Sequence, residues 1–155
     1  MTLLKTLKIA AGAAALVFSG LASAGHDTET DHNDVILAGH DVVAYFTDGK
    51  PGEGRADITA VYNDAIYRFS SEANRDRFRE APGQYAPQYG GFCAYGMTFG
   101  KKFEVDGKAF EIVDGKLFVN KNLKVYEAWA EDVPKHIAEA ESHWPQVEQT
   151  PAADL

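Results

Sequence analysis

Hydrophobic and polar residues alternate in short segments along the first half of the chain, a pattern that is typical of β-strands. Residues 35–37 and 42–46 are apolar runs rich in β-branched and aromatic side chains, and Gly39-His40 separates them. We therefore expect two short strands joined by a turn.

A second pair of segments, residues 58–62 and 65–69, flanks Asn63-Asp64. Asparagine and aspartate both tolerate a positive φ, so this dipeptide predicts a tight hairpin. Alternation within the second strand assigns three side chains to the core-facing side: Ala65, Tyr67 and Phe69.

After this hairpin the pattern favours a helix. Ser70 or Ser71 can cap it by accepting hydrogen bonds from free backbone amides, and Pro82 ends it. Residues 85–100 combine aromatic side chains with four glycines, which are unfavourable in a helix interior. We expect a short, closely packed helix or turn there rather than a long helix.

Three further segments, residues 103–105, 109–113 and 117–119, alternate in polarity. Asp106-Gly107 and Asp114-Gly115 separate them and are strong hairpin signals.

Two helices are expected to follow. Asn120 is predicted to cap the first, which reaches about Glu131, and Pro134 opens the second over residues 133–143. Periodicity is lost from Pro145 onward, so residues 146–155 are predicted to form a loose tail. Together these elements predict an α+β fold: a small antiparallel sheet with a central helix and C-terminal helices.

Residues 1–24 have the features of a secretory signal peptide. Lys5 and Lys8 precede an apolar run over residues 9–21 that is too short for a membrane span, and Ala22-Ser23-Ala24 fits the signal peptidase. We expect cleavage before Gly25, export to the periplasm and no stable membrane insertion of the mature protein.

The segment after the predicted cleavage site, residues 25–34, has four acidic residues, two histidines and no large apolar residue. Such a segment cannot bury enough surface to order itself, so it predicts a flexible arm. A single domain over residues 35–145 would follow it.

The net charge of the chain limits the classes of molecule that it can bind. The chain has 15 Lys and Arg against 23 Asp and Glu, a formal net charge of −8, and cleavage would remove two lysines and no acid. Such a surface repels nucleic acid and anionic lipid, whereas it suits cationic partners and metal ions.

Several segments together resemble the YHS domain family, in particular a secreted bacterial branch of it. The resemblance is carried by residues 41–46 (DVVAYF), residues 67–78 (YRFSSEANRDRF), Pro82, Tyr85, residues 87–96 (PQYGGFCAYG), residues 114–120 (DGKLFVN) and Trp144-Pro145. It implies a YHS-like fold over most of the mature chain and an association with metal handling.

Metal-associated YHS domains carry cysteines at positions that here are Ala44, Ser70 and Asn74, and several members have a histidine where this chain has Arg68. Thiolates at those positions would suit soft or borderline metals. None of the residues present can supply a thiolate, so a metal site in this chain would have to use other residues.

Cys93 is the only cysteine, so an internal disulfide is impossible and the thiol is buried, bound to a ligand or paired with another molecule. Tyr89, Cys93 and Met97 are spaced four residues apart and would share one face if the stretch were helical. A thiolate beside a thioether suits Cu(I), with His40 as an auxiliary ligand. The alternative is that this stripe packs in the core.

Two other positions could bind a ligand or metal. Asp41 either caps a turn by accepting backbone hydrogen bonds or faces the Cys93 segment across the sheet. Cleavage before Gly25 would expose Gly25-His26, and an amine followed by histidine can bind Cu(II) through nitrogen ligands in a near-planar geometry.

Tyr45, Tyr89 and Tyr95 either line a pocket for a small molecule or are ordinary core aromatics. The chain contains no glycine-rich phosphate loop and no HExxH, CxxC or GxSxG motif. The leading hypothesis is therefore a non-enzymatic periplasmic YHS-type protein that binds copper through Cys93. The alternatives are a ligand- or protein-interaction domain with a buried thiol, whose partner would be a small molecule or another periplasmic protein, and a thiol enzyme or redox factor.

Overall fold

The computed structural model of the protein describes residues 27–155. The predicted signal peptide, the predicted cleavage site and His26 lie outside this range. Within it, no helix combines the length and the apolar character that a membrane span requires.

The fold is α+β, as the sequence predicts, but it contains three separate two-stranded antiparallel sheets instead of one small sheet. The strands are β1 (His40–Asp41), β2 (Gly52–Glu53), β3 (Arg55–Tyr62), β4 (Ala65–Phe69), β5 (Phe110–Val113) and β6 (Lys116–Val119). The helices are α1 (Val42–Thr47), α2 (Glu72–Glu80), α3 (Pro82–Tyr85), α4 (Ala94–Met97), α5 (Leu123–Ala130) and α6 (Val133–Val147). Each strand pairs with its neighbour in sequence, β1 with β2, β3 with β4 and β5 with β6.

The predicted strand over residues 42–46 is wrong, because this segment forms helix α1. Asp41 caps the helix, with its Oδ1 accepting a hydrogen bond from the Val43 amide at 2.9 Å. Four consecutive residues, Val42 to Tyr45, are buried. The preceding apolar run also forms no regular strand: Val35 and Ile36 make isolated bridges, and a 3₁₀ turn follows.

The predicted hairpin around Asn63-Asp64 is confirmed and is formed by β3 and β4. Asn63 and Asp64 both adopt positive φ, at 48° and 61°, and the three side chains assigned to the core side are 0%, 2% and 0% exposed. Ser71 then caps α2 by accepting a hydrogen bond from the Asn74 amide. Phe78 of α2 packs against the rings of Tyr67 and Phe69, so this helix covers the core face of the hairpin.

The β5–β6 hairpin turns at Asp114-Gly115 as predicted, with both residues at positive φ. Residues 103–105, in contrast, do not form a strand. Asp106 still makes a turn, since its Oδ1 accepts hydrogen bonds from the amides of Lys108 and Ala109, but there is no strand before it to pair.

Strand β6 lies between two hydrophobic clusters. Leu117 and Val119 face the first core cluster, formed mainly by α1, α2 and the β3–β4 hairpin, and Phe118 faces the second, formed mainly by α4, α5 and α6. Because successive side chains of a strand point to opposite sides, one strand serves both clusters.

Helix α5 begins later than predicted, and helix α6 begins at residue 133 as predicted but ends later. Asn122, not Asn120, caps α5 by accepting a hydrogen bond from the Val125 amide at 3.0 Å. Helix α6 continues through Pro145 to Val147 instead of ending at His143. The chain beyond it is held by the Lys102 ammonium, which donates to the carbonyls of Glu148 and Thr150.

The N-terminal segment contacts the domain rather than extending away from it. The Glu29 amide donates to the Gly90 carbonyl at 2.9 Å, and the Asp27 carboxylate lies 2.6 Å from Lys102 Nζ. The predicted flexible arm is therefore docked from Asp27 onward.

Candidate functional site

Cys93 lies at the start of α4, where it is 1% exposed and carries a free thiol. Its Sγ accepts from the Gly96 amide at 3.5 Å and therefore caps the helix. The thiol also lies 3.6 Å from Asn120 Oδ1, to which it can donate. The Cys93 amide donates to the Phe103 carbonyl at 3.1 Å, so the backbone is held on both sides of the thiol.

Tyr89 does not join a helical stripe with Cys93 and Met97, whereas Cys93 and Met97 lie one helical turn apart, with the Met97 amide donating to the Cys93 carbonyl at 3.0 Å. Tyr89 and Gly90 adopt positive φ within a 3₁₀ turn, and α4 begins only after Cys93. Met97 is fully buried in the second core cluster.

Asn120, which the sequence predicts to cap a helix, is instead a hydrogen-bond partner of the Cys93 thiol. It is fully buried, and its Oδ1 accepts a hydrogen bond from the Tyr95 amide at 3.0 Å as well as from the thiol. Asn120 follows a strand and precedes a helix, a position that is typical of a helix cap. The local sequence therefore predicts that Asn120 caps α5. Within residues 27–155 its Nδ2 has no hydrogen-bond partner.

Cys93 and Tyr95 line an apolar pocket of about 280 Å³. Its other lining residues are Gly96, Phe99, Phe103, Lys121 and Val125. Phe99 and Phe103 are 61% and 43% exposed, so two aromatic rings of the pocket wall are accessible to solvent. The surface of the pocket is almost entirely apolar.

Phe103 is positioned by a glycine and a lysine. A Cβ added to Gly96 would lie 2.5 Å from Phe103 Cδ2, so only glycine lets the ring approach α4 this closely. The Lys121 ammonium lies 5.5 Å from the centroid of the same ring and 2.8 Å from Glu104. The hydrogen bond from Lys121 lowers the pKa of the Glu104 carboxyl below its usual value.

Tyr95 forms another part of the pocket wall. Its ring makes edge-to-face contacts with Phe99 and with His136, at centroid distances of 5.4 and 5.2 Å. The His136 ring is held in turn through Nδ1, 2.7 Å from the Trp129 carbonyl. These contacts anchor the Tyr95 ring to α6.

The hydrogen bonds of the Asp41 side chain within residues 27–155 go to other segments than the one around Cys93. Asp41 Oδ2 accepts from the Ser70 amide at 2.8 Å, from Ser70 Oγ at 2.7 Å and from Asn74 Nδ2 at 2.8 Å. The structure thus brings together Ser70 and Asn74, two of the three positions that the predicted YHS resemblance matches to cysteines. Here they satisfy one buried carboxylate, and the predicted capping role of Asp41 is confirmed.

The remaining predicted site residues are core aromatics or turn residues. The Tyr45 hydroxyl donates to the Gly107 carbonyl at 2.6 Å, and burial raises the Tyr45 pKa. His40 lies against the same turn, since a Cβ on Gly107 would lie 2.8 Å from its Cδ2. Tyr89 packs against Phe118, and burial raises its pKa as well.

The copper site expected from the sequence stays a prediction. Residues 27–155 contain no group of three or more His, Cys, Asp or Glu side chains that could hold a metal ion. His40 lies at the Gly107 turn, and Met97 is absent from the lining of the Cys93 pocket. The terminal Cu(II) site at His26 lies outside this range.

Comparisons of the chain with protein-family models, with curated proteins and with solved structures found no match. The YHS resemblance remains a prediction from the sequence, and function has to be inferred from the geometry of the pocket.

Proposed function

We propose that this chain is an exported, YHS-like binding domain that takes a compact apolar ligand in the pocket beside Cys93. The observation that carries this proposal is the pairing of an apolar pocket with two solvent-exposed phenylalanines, Phe99 and Phe103, in its wall. Single exposed apolar side chains are common on proteins, but a group of them around a concave site is typical of ligand-binding surfaces.

The dimensions and chemistry of the pocket define the ligand class. At about 280 Å³ it is near the lower end of small-molecule sites, which begin at roughly 300 Å³. Among its described lining residues, Lys121 carries the single charge, and that charge is paired with Glu104. A small aromatic or branched aliphatic molecule fits best, because binding would remove its apolar surface and both rings from water.

Cys93 forms part of the pocket wall in this proposal and is not a nucleophile. Its thiol interacts with the Asn120 oxygen and the Gly96 amide. Neither group can remove the thiol proton, whereas a thiol enzyme uses a neighbouring base to form its thiolate. The interaction-domain hypothesis therefore has more support than the thiol-enzyme hypothesis. The copper hypothesis stays a prediction that titration can test.

Protein-observed NMR with small aromatic probes such as indole and p-cresol tests the proposal. We expect saturable shifts centred on the amides of Gly96 and Phe103. Val125→Phe should fill the pocket and abolish these shifts. Val61→Phe adds the same bulk at a position on β3 that is 71% exposed and outside the pocket, so it should leave them unchanged.

Two results would overturn the proposal. One is the absence of saturable shifts at Gly96 with every apolar probe. The other is equal binding by the Val125→Phe variant and the unmodified protein.

A further inference from the structure

A second cavity, of about 190 Å³, lies on another part of the domain and differs from the Cys93 pocket in its chemistry. The docked N-terminal segment forms one wall through Asp27 and Thr28. The tip of the β3–β4 hairpin forms another, and the end of α6 closes it with Trp144 and Glu148.

Aromatic rings and carboxylates dominate this cavity. The aromatic lining residues are Tyr62, Tyr67, Tyr89 and Trp144. Asp27 and Glu148 supply the carboxylates, and none of the described lining residues is Lys, Arg or His. The faces of aromatic rings carry negative electrostatic potential, so rings and carboxylates together attract a cation and repel an anion.

Three of these residues already contact an ammonium group from outside the cavity. Lys102 Nζ lies 2.6 Å from the Asp27 carboxylate, 3.1 Å from the Glu148 carbonyl oxygen and 5.4 Å from the centroid of the Trp144 ring. The Asp27 carboxylate already forms an ion pair with the buried Lys102. Glu148 is therefore the lining carboxylate that can pair with a bound cation. Among the ion pairs of residues 27–155, none involves the Glu148 side chain.

Tyr89 adds an unused polar group. The residue is 7% exposed, and within the described part of the chain its hydroxyl has no hydrogen-bond partner. A buried hydroxyl normally has a partner, so this one is free to bind a polar group of a ligand.

We infer that this cavity binds a small organic cation, a primary amine or a quaternary ammonium compound, against its tyrosine and tryptophan rings with Glu148 as the counter-charge. The net charge of −8 would raise the local concentration of such a ligand. The volume suits a cationic head group with a few carbon atoms.

Choline and 3,3-dimethylbutanol are a matched pair of probes, because they have nearly the same shape and differ in charge. Titration followed by protein NMR should shift the amides of Gly83 and Gly90, which line this cavity, and choline should bind about threefold or more tightly than the neutral alcohol. Glu148→Gln should weaken choline binding by about three- to fivefold and leave the neutral probe unchanged. Glu131→Gln removes the same charge from an exposed residue outside the cavity and should leave both probes unaffected.

Equal binding of the two probes would overturn the inference, as would choline binding that is the same in the Glu148→Gln variant. Shifts at Gly83 and Gly90 with glucose but not with choline would identify a sugar site instead and would also overturn it. The outcome is independent of the apolar-ligand proposal, whose shifts are read at Gly96 and Phe103.

Discussion

The ammonium group of Lys102 lies 2.6 Å from the carboxylate of Asp27, and the lysine side chain is completely buried. The same ammonium donates to the carbonyls of Glu148 and Thr150, so one side chain joins the N-terminal segment to the chain after α6. Three donors are matched by three acceptors, which is what allows a lysine to be buried as a cation.

Lys102→Met should lower the free energy of unfolding by about 2 kcal/mol, because it leaves Asp27 unpaired and two carbonyls without their donor. Urea denaturation measures this change. Lys116→Met removes a lysine from an exposed pair, in which Nζ lies 3.9 Å from Glu141, and should cost well under about 1 kcal/mol. An equal decrease in the free energy of unfolding for the two variants would contradict a stabilising role of the buried Lys102 interactions.

Asn120→Ala should also lower the free energy of unfolding by about 2 kcal/mol, since the Tyr95 amide and the Cys93 thiol would both lose their acceptor in a buried site. Asn122→Ala removes the cap of α5 at an exposed position and should cost about 1 kcal/mol. Thermal or urea unfolding of both variants compares them directly. If Asn122→Ala proved the more costly change, Asn120 would not have the structural role described above.

Gly96→Ala should weaken binding of an apolar probe at the Cys93 pocket, because the new methyl group would displace the Phe103 ring from its position. Stability should fall by less than about 1 kcal/mol, since that ring is partly exposed and can rotate away. Gly83→Ala is the matched control: its Cβ would lie 3.6 Å from Tyr62 Oη, an ordinary contact outside the pocket. NMR titration with indole reads the binding, and unchanged affinity in Gly96→Ala would show that the position of Phe103 does not matter.

Glu29 should make the protein less stable as the pH rises from about 4.5 to 7. Burial raises the pKa of its carboxyl from 4.5 to about 7, and the carboxylates of Glu104 and Asp31 add to this effect. In this range the unfolded chain loses the proton while the folded chain keeps it, so the folded state binds more protons and stability falls with pH.

Glu29→Gln should remove this dependence and raise the free energy of unfolding at pH 8 by about 1 kcal/mol, allowing for solvent screening at a partly exposed site. Urea denaturation between pH 4.5 and 8 measures the difference between the variant and the unmodified protein. Glu53→Gln, at an exposed position, should leave the pH profile unchanged. A Glu29→Gln profile parallel to that of the unmodified protein would contradict a raised Glu29 pKa.

Cys93→Ser should retain the apolar ligand within about twofold, because the wall of the pocket keeps its shape and its other side chains. A copper site built on Cys93 predicts the opposite behaviour: stoichiometric Cu(I) binding that this substitution abolishes. Titration of Cu(I) and of an apolar probe into the protein that begins at Gly25, with and without Cys93→Ser, distinguishes the two hypotheses. Adding one residue ahead of Gly25 tests the terminal site at His26, since Cu(II) binding there needs the free amine.

Several elements followed from short stretches of sequence. Asn63-Asp64 and Asp114-Gly115 specify their hairpins because these residues adopt positive φ at little cost. Ser71 specifies the start of α2 in the same way, through a hydrogen bond to an amide three residues later. In each case the interacting groups are neighbours in the chain, so the local pattern is sufficient.

The wrong predictions share one cause: the residues concerned form hydrogen bonds with residues that are far away in the sequence. Residues 42–46 have strand-like composition, but Asp41 is fixed by Ser70 and Asn74, about 30 residues away, and caps a helix instead. Asn120 has the local setting of a helix cap, yet its oxygen is taken by Tyr95 and Cys93.

The sequence by itself determined the α+β class, the two tight hairpins, the single thiol and the acidic surface, because propensity, turn chemistry and composition depend on residues that are close in the chain or on their number. Only the tertiary structure decided which side chains share a site. It joined Asn120 to the Cys93 thiol, placed Lys121 in the wall of the Cys93 pocket, and buried Lys102 between Asp27 and the chain after α6. Contacts of this kind form where packing brings distant segments together, and no local pattern of residues encodes them.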